Sequence, residues 1–188
     1  MGPYSIIYAD PPWGFDTWTT AARVASRGSA TPYETMTMDA IKALPVESWS
    51  APDCTLFMWC CWPTLPEALD VMRAWGFTYK TCAFTWLKAD PYKLFALEED
   101  VYMGLGYWTR ANSEVCLLGT RGKPRRISAS VRQGIISPRR EHSRKPDEIP
   151  DRIVELMGDL PRLEMFARTK REGWDVFGNE TEKFKAAS

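Results

Sequence analysis

Ser5-Ile6-Ile7-Tyr8-Ala9-Asp10-Pro11-Pro12-Trp13 is the stretch on which the reading of this chain turns. The apolar, partly β-branched run from Ser5 to Ala9 fits a buried strand, and the two prolines that follow cannot donate to a strand ladder, so the strand stops and delivers Asp10 at its carboxyl edge. Proline also fixes φ, so Pro11-Pro12 holds its carbonyls and the Asp10 carboxylate as a rigid array made only of acceptors. Such an array suits an amine that must give up a proton as it attacks an electrophile. Trp13 adds a flat indole able to stack on the ring that bears the amine. The plainer alternative is a strand-ending turn with a solvated acid and a packing tryptophan.

Outward from this motif, the chain alternates strand and helix signals. Trp13 to Arg27 mixes Gly, Thr, Ala and Arg without a period and reads as a loop at the strand end, where sites are usually built. Thr55 to Trp59 reads as a second buried strand. A helix follows from a cap-like Thr64, with Leu65, Leu69, Met72 and Trp75 as its apolar stripe and Gly76 as its stop. Thr78–Leu87 and Glu114–Leu118 read as further strands around a polar, aromatic insert. A second helix is expected from near Asp147 to Met157, with Pro150 in its first turn and Gly158 beyond its end. Leu163–Ala167 and Asp175–Phe177 are two last short strands. This order predicts a mostly parallel α/β sheet with ligands at the carboxyl ends of its strands. With no repeat and no linker, 1–188 is read as one domain.

Composition narrows the partners. The 188 residues carry 24 Lys plus Arg against 24 Asp plus Glu, so no global field steers a nucleic acid, and any such binding must be local. From 121 to 145 there are nine Lys or Arg against the single acid Glu141, interspersed with Gly122, Pro124, Gly134 and Pro138. That stretch reads as a mobile basic loop with Arg139 and Arg140 on phosphates, or as an ordinary solvated loop. Five cysteines without a C-x-x-C pair and a single histidine, His142, lack zinc-ligand spacing, so no metal is expected. Buried free thiols, the start Met1-Gly2-Pro3-Tyr4-Ser5 and the lack of a long apolar run predict a cytoplasmic protein without membrane association.

Several blocks in one order extend the first motif: Pro32-Tyr33-Glu34-Thr35-Met36, Leu56-Phe57-Met58-Trp59, Trp75-Gly76-Phe77, Gly106-Tyr107-Trp108-Thr109-Arg110, Glu114-Val115-Cys116-Leu117-Leu118, His142-Ser143-Arg144-Lys145-Pro146-Asp147-Glu148-Ile149, Leu163-Glu164-Met165-Phe166-Ala167-Arg168 and Phe177-Gly178-Asn179. Through nearly its whole length the chain resembles the MT-A70-like adenine-N(6) methyltransferases, a family of bacterial and phage DNA enzymes and of the eukaryotic mRNA enzyme's catalytic subunit. The resemblance implies a Rossmann-like, S-adenosylmethionine-dependent methyltransferase fold in circularly permuted order, catalytic motif first and cofactor motif near the C-terminus. It implies that Asp10, Pro11, Pro12 and Trp13 are catalytic, with Asp10 and the Pro11 carbonyl holding the exocyclic amine and Trp13 against a flipped adenine. It places Asp10, Lys145, Arg168, Asn179 and Glu180 on the cofactor. Apart from the resemblance, Tyr33 and, in the aromatic insert, Trp108 and Arg110 are read as substrate contacts near the target base, with core packing as the alternative for the insert, and Arg139 and Arg140 of the basic stretch as substrate contacts on phosphates. Thr169-Lys170-Arg171 and Glu180 depart from the eukaryotic pattern.

The expected activity is methyl transfer to adenine N(6) in DNA by a monomer or homodimer, because a chain without added zinc-finger or partner modules fits the minimal bacterial or phage form. RNA methylation and a noncatalytic nucleic-acid-binding subunit are the alternatives. A nucleotide-binding oxidoreductase would call for a Gly-rich fingerprint that this sequence lacks.

Overall fold

The computed structural model describes residues 2–14, 36–90, 101–104, 108–141 and 144–182. Among these, seven strands form one sheet: β1 (Tyr4–Ala9), β2 (Ser50–Cys60), β3 (Thr78–Ala89), β4 (Ser113–Arg121), β5 (Gly134–Pro138), β6 (Arg162–Met165) and β7 (Asp175–Phe177). Their order across the sheet is β5-β3-β4-β2-β1-β6-β7. β1 is parallel to both of its neighbours, with Ala9 opposite Met58 of β2 and Met165 of β6. β6 and β7 are parallel, as are β3 and β5.

The expected α/β class holds, but the sheet is mixed: β4 runs antiparallel to β2 and to β3. The pattern of Glu114–Leu118 carries no sign of direction, because a strand buried on both faces has the same composition whichever way it runs. Direction matters here, since it brings Ser113 and Glu114, the start of β4, to the same end of the sheet as Cys60, the end of β2.

The side chains of β1 and β2 alternate between two cores. Ile7, Ala9, Leu56 and Met58 face one core, covered by α1 (Met38–Lys42), α2 (Val46–Trp49) and α3 (Leu65–Ala74). Ile6, Tyr8, Phe57 and Trp59 face the other, where Ile149, Ile153 and Met157 of α4 (Ile149–Met157) pack against them and against Phe84, Trp86 and Ile135. Helices on both faces explain why β1 is apolar along its length. The Trp75 indole donates to the Ile41 carbonyl at 3.0 Å and ties the end of α3 to α1.

Both predicted glycine stops are present. Gly76 (φ 81°) and Gly158 (φ 93°) take positive φ just beyond α3 and α4, where a side chain would be strained. Pro150 lies in the first turn of α4, where no helical N–H is lost. Asp147-Glu148 forms a turn, so the helix starts two residues later than expected. Thr64 does not cap α3: its hydroxyl accepts from the Cys61 amide at 3.3 Å and donates to the Cys61 carbonyl at 3.0 Å, closing the 3-10 turn Trp62–Thr64.

The stretch 121–145 is not one basic loop. It contains β5, and Ile135 in that strand is core. The charges are spread along the chain's path and do not form one patch. Arg121 is opposite Cys54 and pairs with Glu47 at 3.2 Å, while the Lys123 amide donates to Asp53 at 2.7 Å. β5 then runs parallel to β3 and returns the chain, with Pro138 opposite Ala89, to the end that holds Asp10. Only Arg139, Arg140, Arg144 and Lys145 accompany it.

Candidate active site

Asp10 is the first residue past β1, and its amide makes a last bond to the Met165 carbonyl of β6, at 3.4 Å. The prolines then turn the chain so that the Trp13 amide donates to the Pro11 carbonyl at 2.8 Å. A carbonyl has two lone pairs, so Pro11 can still accept a second hydrogen. Trp13 is only 5% exposed, and its indole N–H donates to the Trp59 carbonyl at 3.0 Å. The Trp59 indole in turn donates to the Tyr8 hydroxyl at 2.7 Å. The motif is therefore fastened to β2 through Trp13, and β2 to β1 through Trp59.

Four charges alternate across the ends of β1, β4 and β3. Lys145 Nζ lies 2.8 Å from both carboxylate oxygens of Asp10 and 3.3 Å from Glu114 Oε2, and Lys88 Nζ lies 2.6 Å from Glu114 Oε1. Lys145 also sits 5.6 Å from the centroid of the Trp59 ring. Burial alone would raise the Glu114 carboxyl, but Lys145 and Lys88 override it and hold it down at about 2. Burial opposes the charge on Lys145 as well, and Asp10 and Glu114 reverse that, keeping it protonated well above the ordinary lysine range. An ion pair this buried persists only if each charge is matched, and the alternation does that.

Two cavities meet at this network. The larger, of about 240 Å³, is lined by Asp10, Pro11, Pro12 and Trp13 and by Trp59, Lys88, Glu114 and Arg139. The smaller, of about 60 Å³, is lined by Tyr8, Glu164, Phe166, Thr169 and Arg171 on the β6 side. Asp10, Arg144, Lys145 and Arg168 belong to the walls of both. In the smaller cavity, burial raises the Glu164 carboxyl to about 7, with Arg171 opposing and Asp10 reinforcing the shift. Phe166, just past β6, holds φ at 60°, an unusual conformation for a bulky residue.

The structure brings together Asp10, Pro11, Pro12, Trp13, Lys145, Arg168 and Arg139 from the sequence expectations. Arg144 pairs with Glu141 at 3.2 Å and Asp147 at 3.0 Å. Arg140 is bound to Asp147 and lines neither cavity. Arg168 pairs with Glu180 at 3.5 Å, so Glu180 reaches the cavities through Arg168. Asn179 is exposed and lines neither. Trp108 is fully exposed and Arg110 is also exposed. Tyr33 lies outside the described residues, as do Tyr107 and His142.

Glu114, Lys88, Glu164 and Tyr8 were not singled out from sequence. Glu114 stood inside a quoted block, but its place at the site depends on β4 running antiparallel. The available signal was a carboxylate leading an apolar run. Among the described residues no group of three or more His, Cys, Asp or Glu side chains could hold a metal ion, and no helix is long and apolar enough to cross a membrane.

Residues 4–180 match the MT-A70 family, a mixed α/β class to which this chain belongs. It is 31% identical over 192 residues to the type II methyltransferase M.MunI of a Mycoplasma species, an alignment covering 94% of this chain and 77% of that protein. An N(6)-adenosine-methyltransferase MT-A70-like protein of Arabidopsis thaliana is 28% identical, covering 96% of this chain and 24% of its own. The human N(6)-adenosine-methyltransferase catalytic subunit METTL3 is 25% identical, with 96% and 28% covered. The chain thus spans about a quarter of these two eukaryotic relatives.

Proposed function

We propose that this protein is an S-adenosylmethionine-dependent methyltransferase acting on the N(6) amine of adenine in DNA. The observation that carries the reading is the meeting of two cavities at Asp10 and Lys145, one walled by the acceptor array and the other by the turn after β6. A transfer between two ligands needs that arrangement. We read the sheet as Rossmann-like and circularly permuted, since β1, first in the chain, lies inside the sheet beside β6 near the C-terminus.

The donor set fits the cofactor. Asp10 offers a carboxylate to an α-amino group, Lys145 an ammonium to a carboxylate, and Arg168 with Glu180 and Asn179, beyond β7, would serve the ribose side. When bound, S-adenosylmethionine supplies a methyl group on a positively charged sulfur. The protein's part is positioning. Asp10 and the Pro11 carbonyl accept the hydrogens of the exocyclic amine, which leaves its lone pair directed away from them. Trp13, fixed by its bond to Trp59, presents an immobile wall to the extruded base. Lys145 pairs with Asp10 and would exchange partners when the cofactor binds. The methylated amine sheds one hydrogen as a proton, with the Asp10 carboxylate as acceptor. Most of the rate gain from such a site is geometric.

DNA is favoured because the chain is 31% identical to the type II methyltransferase and 25–28% identical to the N(6)-adenosine methyltransferases. The resemblance also assigns DNA to the family's bacterial and phage members. The test is transfer of a tritiated methyl group to unmethylated DNA and to RNA, followed by nucleoside analysis. Label in N(6)-methyldeoxyadenosine is expected. Label only in RNA would move the substrate, and label in neither would refute the enzymatic reading.

A further inference from the structure

Trp62 is unlike the tryptophans that build the core. Trp13, Trp59, Trp75, Trp86 and Trp174 are buried, whereas Trp62 leaves 52% of its surface in solvent. It is nevertheless held: its indole N–H donates to Ser113 Oγ at 3.0 Å. Neither residue lines the larger cavity itself, but each adjoins in sequence one that does, Cys61 beside Trp62 and Glu114 beside Ser113. A large apolar ring oriented by one hydrogen bond, yet uncovered beside a cavity mouth, has a face to offer to a flat partner.

The same edge of the sheet carries positive charge further along. Lys88 lines the cavity at the end of β3, and its carbonyl accepts from the Tyr102 amide at 2.8 Å. Arg139, at the end of β5, lies 4.0 Å over the Tyr102 ring and donates to its hydroxyl at 3.0 Å. The strand ends run β2, β4, β3, β5, so Trp62, Ser113, Lys88 and Arg139 follow one another along a single rim. At a strand spacing of about 4.8 Å, that rim is on the order of 10–15 Å long.

We propose that Trp62 is a stacking platform for the nucleobase next to the extruded adenine, with Arg139, further along the same rim, taking a backbone phosphate. The inference rests on the nucleic-acid methyltransferase reading above. Extruding a base deprives its neighbour of a stacking partner, and an aromatic face beside the pocket restores one. Stacking of this kind tolerates any base, because every base has a π-face. Trp62 therefore contributes affinity and register, not the chemistry of transfer. Being neutral, its indole adds nothing to the release of counterions.

The experiment measures methyl transfer and binding on whichever nucleic acid the wild-type chain methylates, using Trp62→Ala, Trp62→Phe and Arg139→Ala. Trp62→Ala should raise KM about 5- to 150-fold, the range spanned by losing one base–aromatic stack, while kcat changes far less. Trp62→Phe should recover most of the loss. The log–log salt slope of binding should be unchanged in Trp62→Ala and smaller by ~0.9 for duplex DNA, or ~0.7 for a single strand, in Arg139→Ala. An unaltered KM in Trp62→Ala overturns the proposal. So does a fall in kcat with KM unchanged in a folded variant, which would make Trp62 a prop of the pocket, or a Trp62→Phe variant as impaired as Trp62→Ala. A wild type that methylates neither DNA nor RNA would instead defeat the enzymatic reading on which the proposal stands.

Discussion

Glu114→Gln removes one negative charge from between two lysines and changes little else, so it isolates the charge network. In the native chain Glu114 lies 2.6 Å from Lys88 and 3.3 Å from Lys145, with 16% of its side chain exposed. Its carboxyl is held at about 2 against an ordinary 4.5. At 1.36 kcal/mol per pKa unit, that difference is worth about 3 kcal/mol of stability at neutral pH. Removing one partner of a buried pair independently costs ~3–5 kcal/mol. A loss of about 3 kcal/mol is therefore expected at pH 7, read from urea unfolding of both proteins. The sign with pH follows from the lowered value. The contribution is complete above about 4.5 and is lost as pH falls toward about 2, because the unfolded chain takes up this proton first. The gap between wild type and variant should then roughly halve by about pH 3. Adding Lys88→Met to Glu114→Gln should cost less than the sum of the two single changes, since each lone variant leaves a charge behind. Equal stabilities at pH 7, or a gap that does not narrow between about pH 4.5 and pH 3, would refute the assignment of the network as the source of the shift.

Asp10→Asn should lower methyl transfer at saturating cofactor by ~100-fold or more, because the amide turns a donor toward the amine's own hydrogens and displaces the lone pair; near wild-type turnover would sink the catalytic role. Glu164 has the opposite pH sign to Glu114: with its carboxyl raised to about 7, the native chain holds a proton that the unfolded chain has lost, so stability falls as pH rises from about 4.5 to about 7. Glu164→Gln should flatten that fall, and unfolding midpoints across the interval would reveal an unchanged slope if burial is not its cause. The two basic residues that sequence treats alike should separate in a salt titration of DNA binding. Arg139→Ala should reduce the log–log slope by ~0.9, and Arg140→Ala, whose partner is Asp147, should leave it near the wild-type value.

Some of this molecule is written in local sequence. The apolar, β-branched run before Asp10 reads as a buried strand and the prolines after it as its end, so β1 was legible without a fold. Gly76 and Gly158 stopped their helices for the same local reason. The blocks of family resemblance identified the family before any coordinate. What local sequence does not carry is the direction of a strand or the partner of a charge. Helices α1 and α2 are single turns too short to show a period, and β5 is a five-residue edge strand inside a basic stretch whose charges dominate its composition. The 121–145 stretch looked uniform along the chain, yet β5 folds it back and sends Arg121 and Arg139 to opposite ends of the sheet. Glu114 is the clearest case. Its neighbours in sequence say only that it begins a strand. Because β4 runs antiparallel, that beginning is at the end where Asp10 leaves β1, and a carboxylate 104 positions away from Asp10 in the chain comes to share Lys145 with it. Ion pairing acts over a few ångströms whatever the separation along the chain, so only the tertiary structure could decide it.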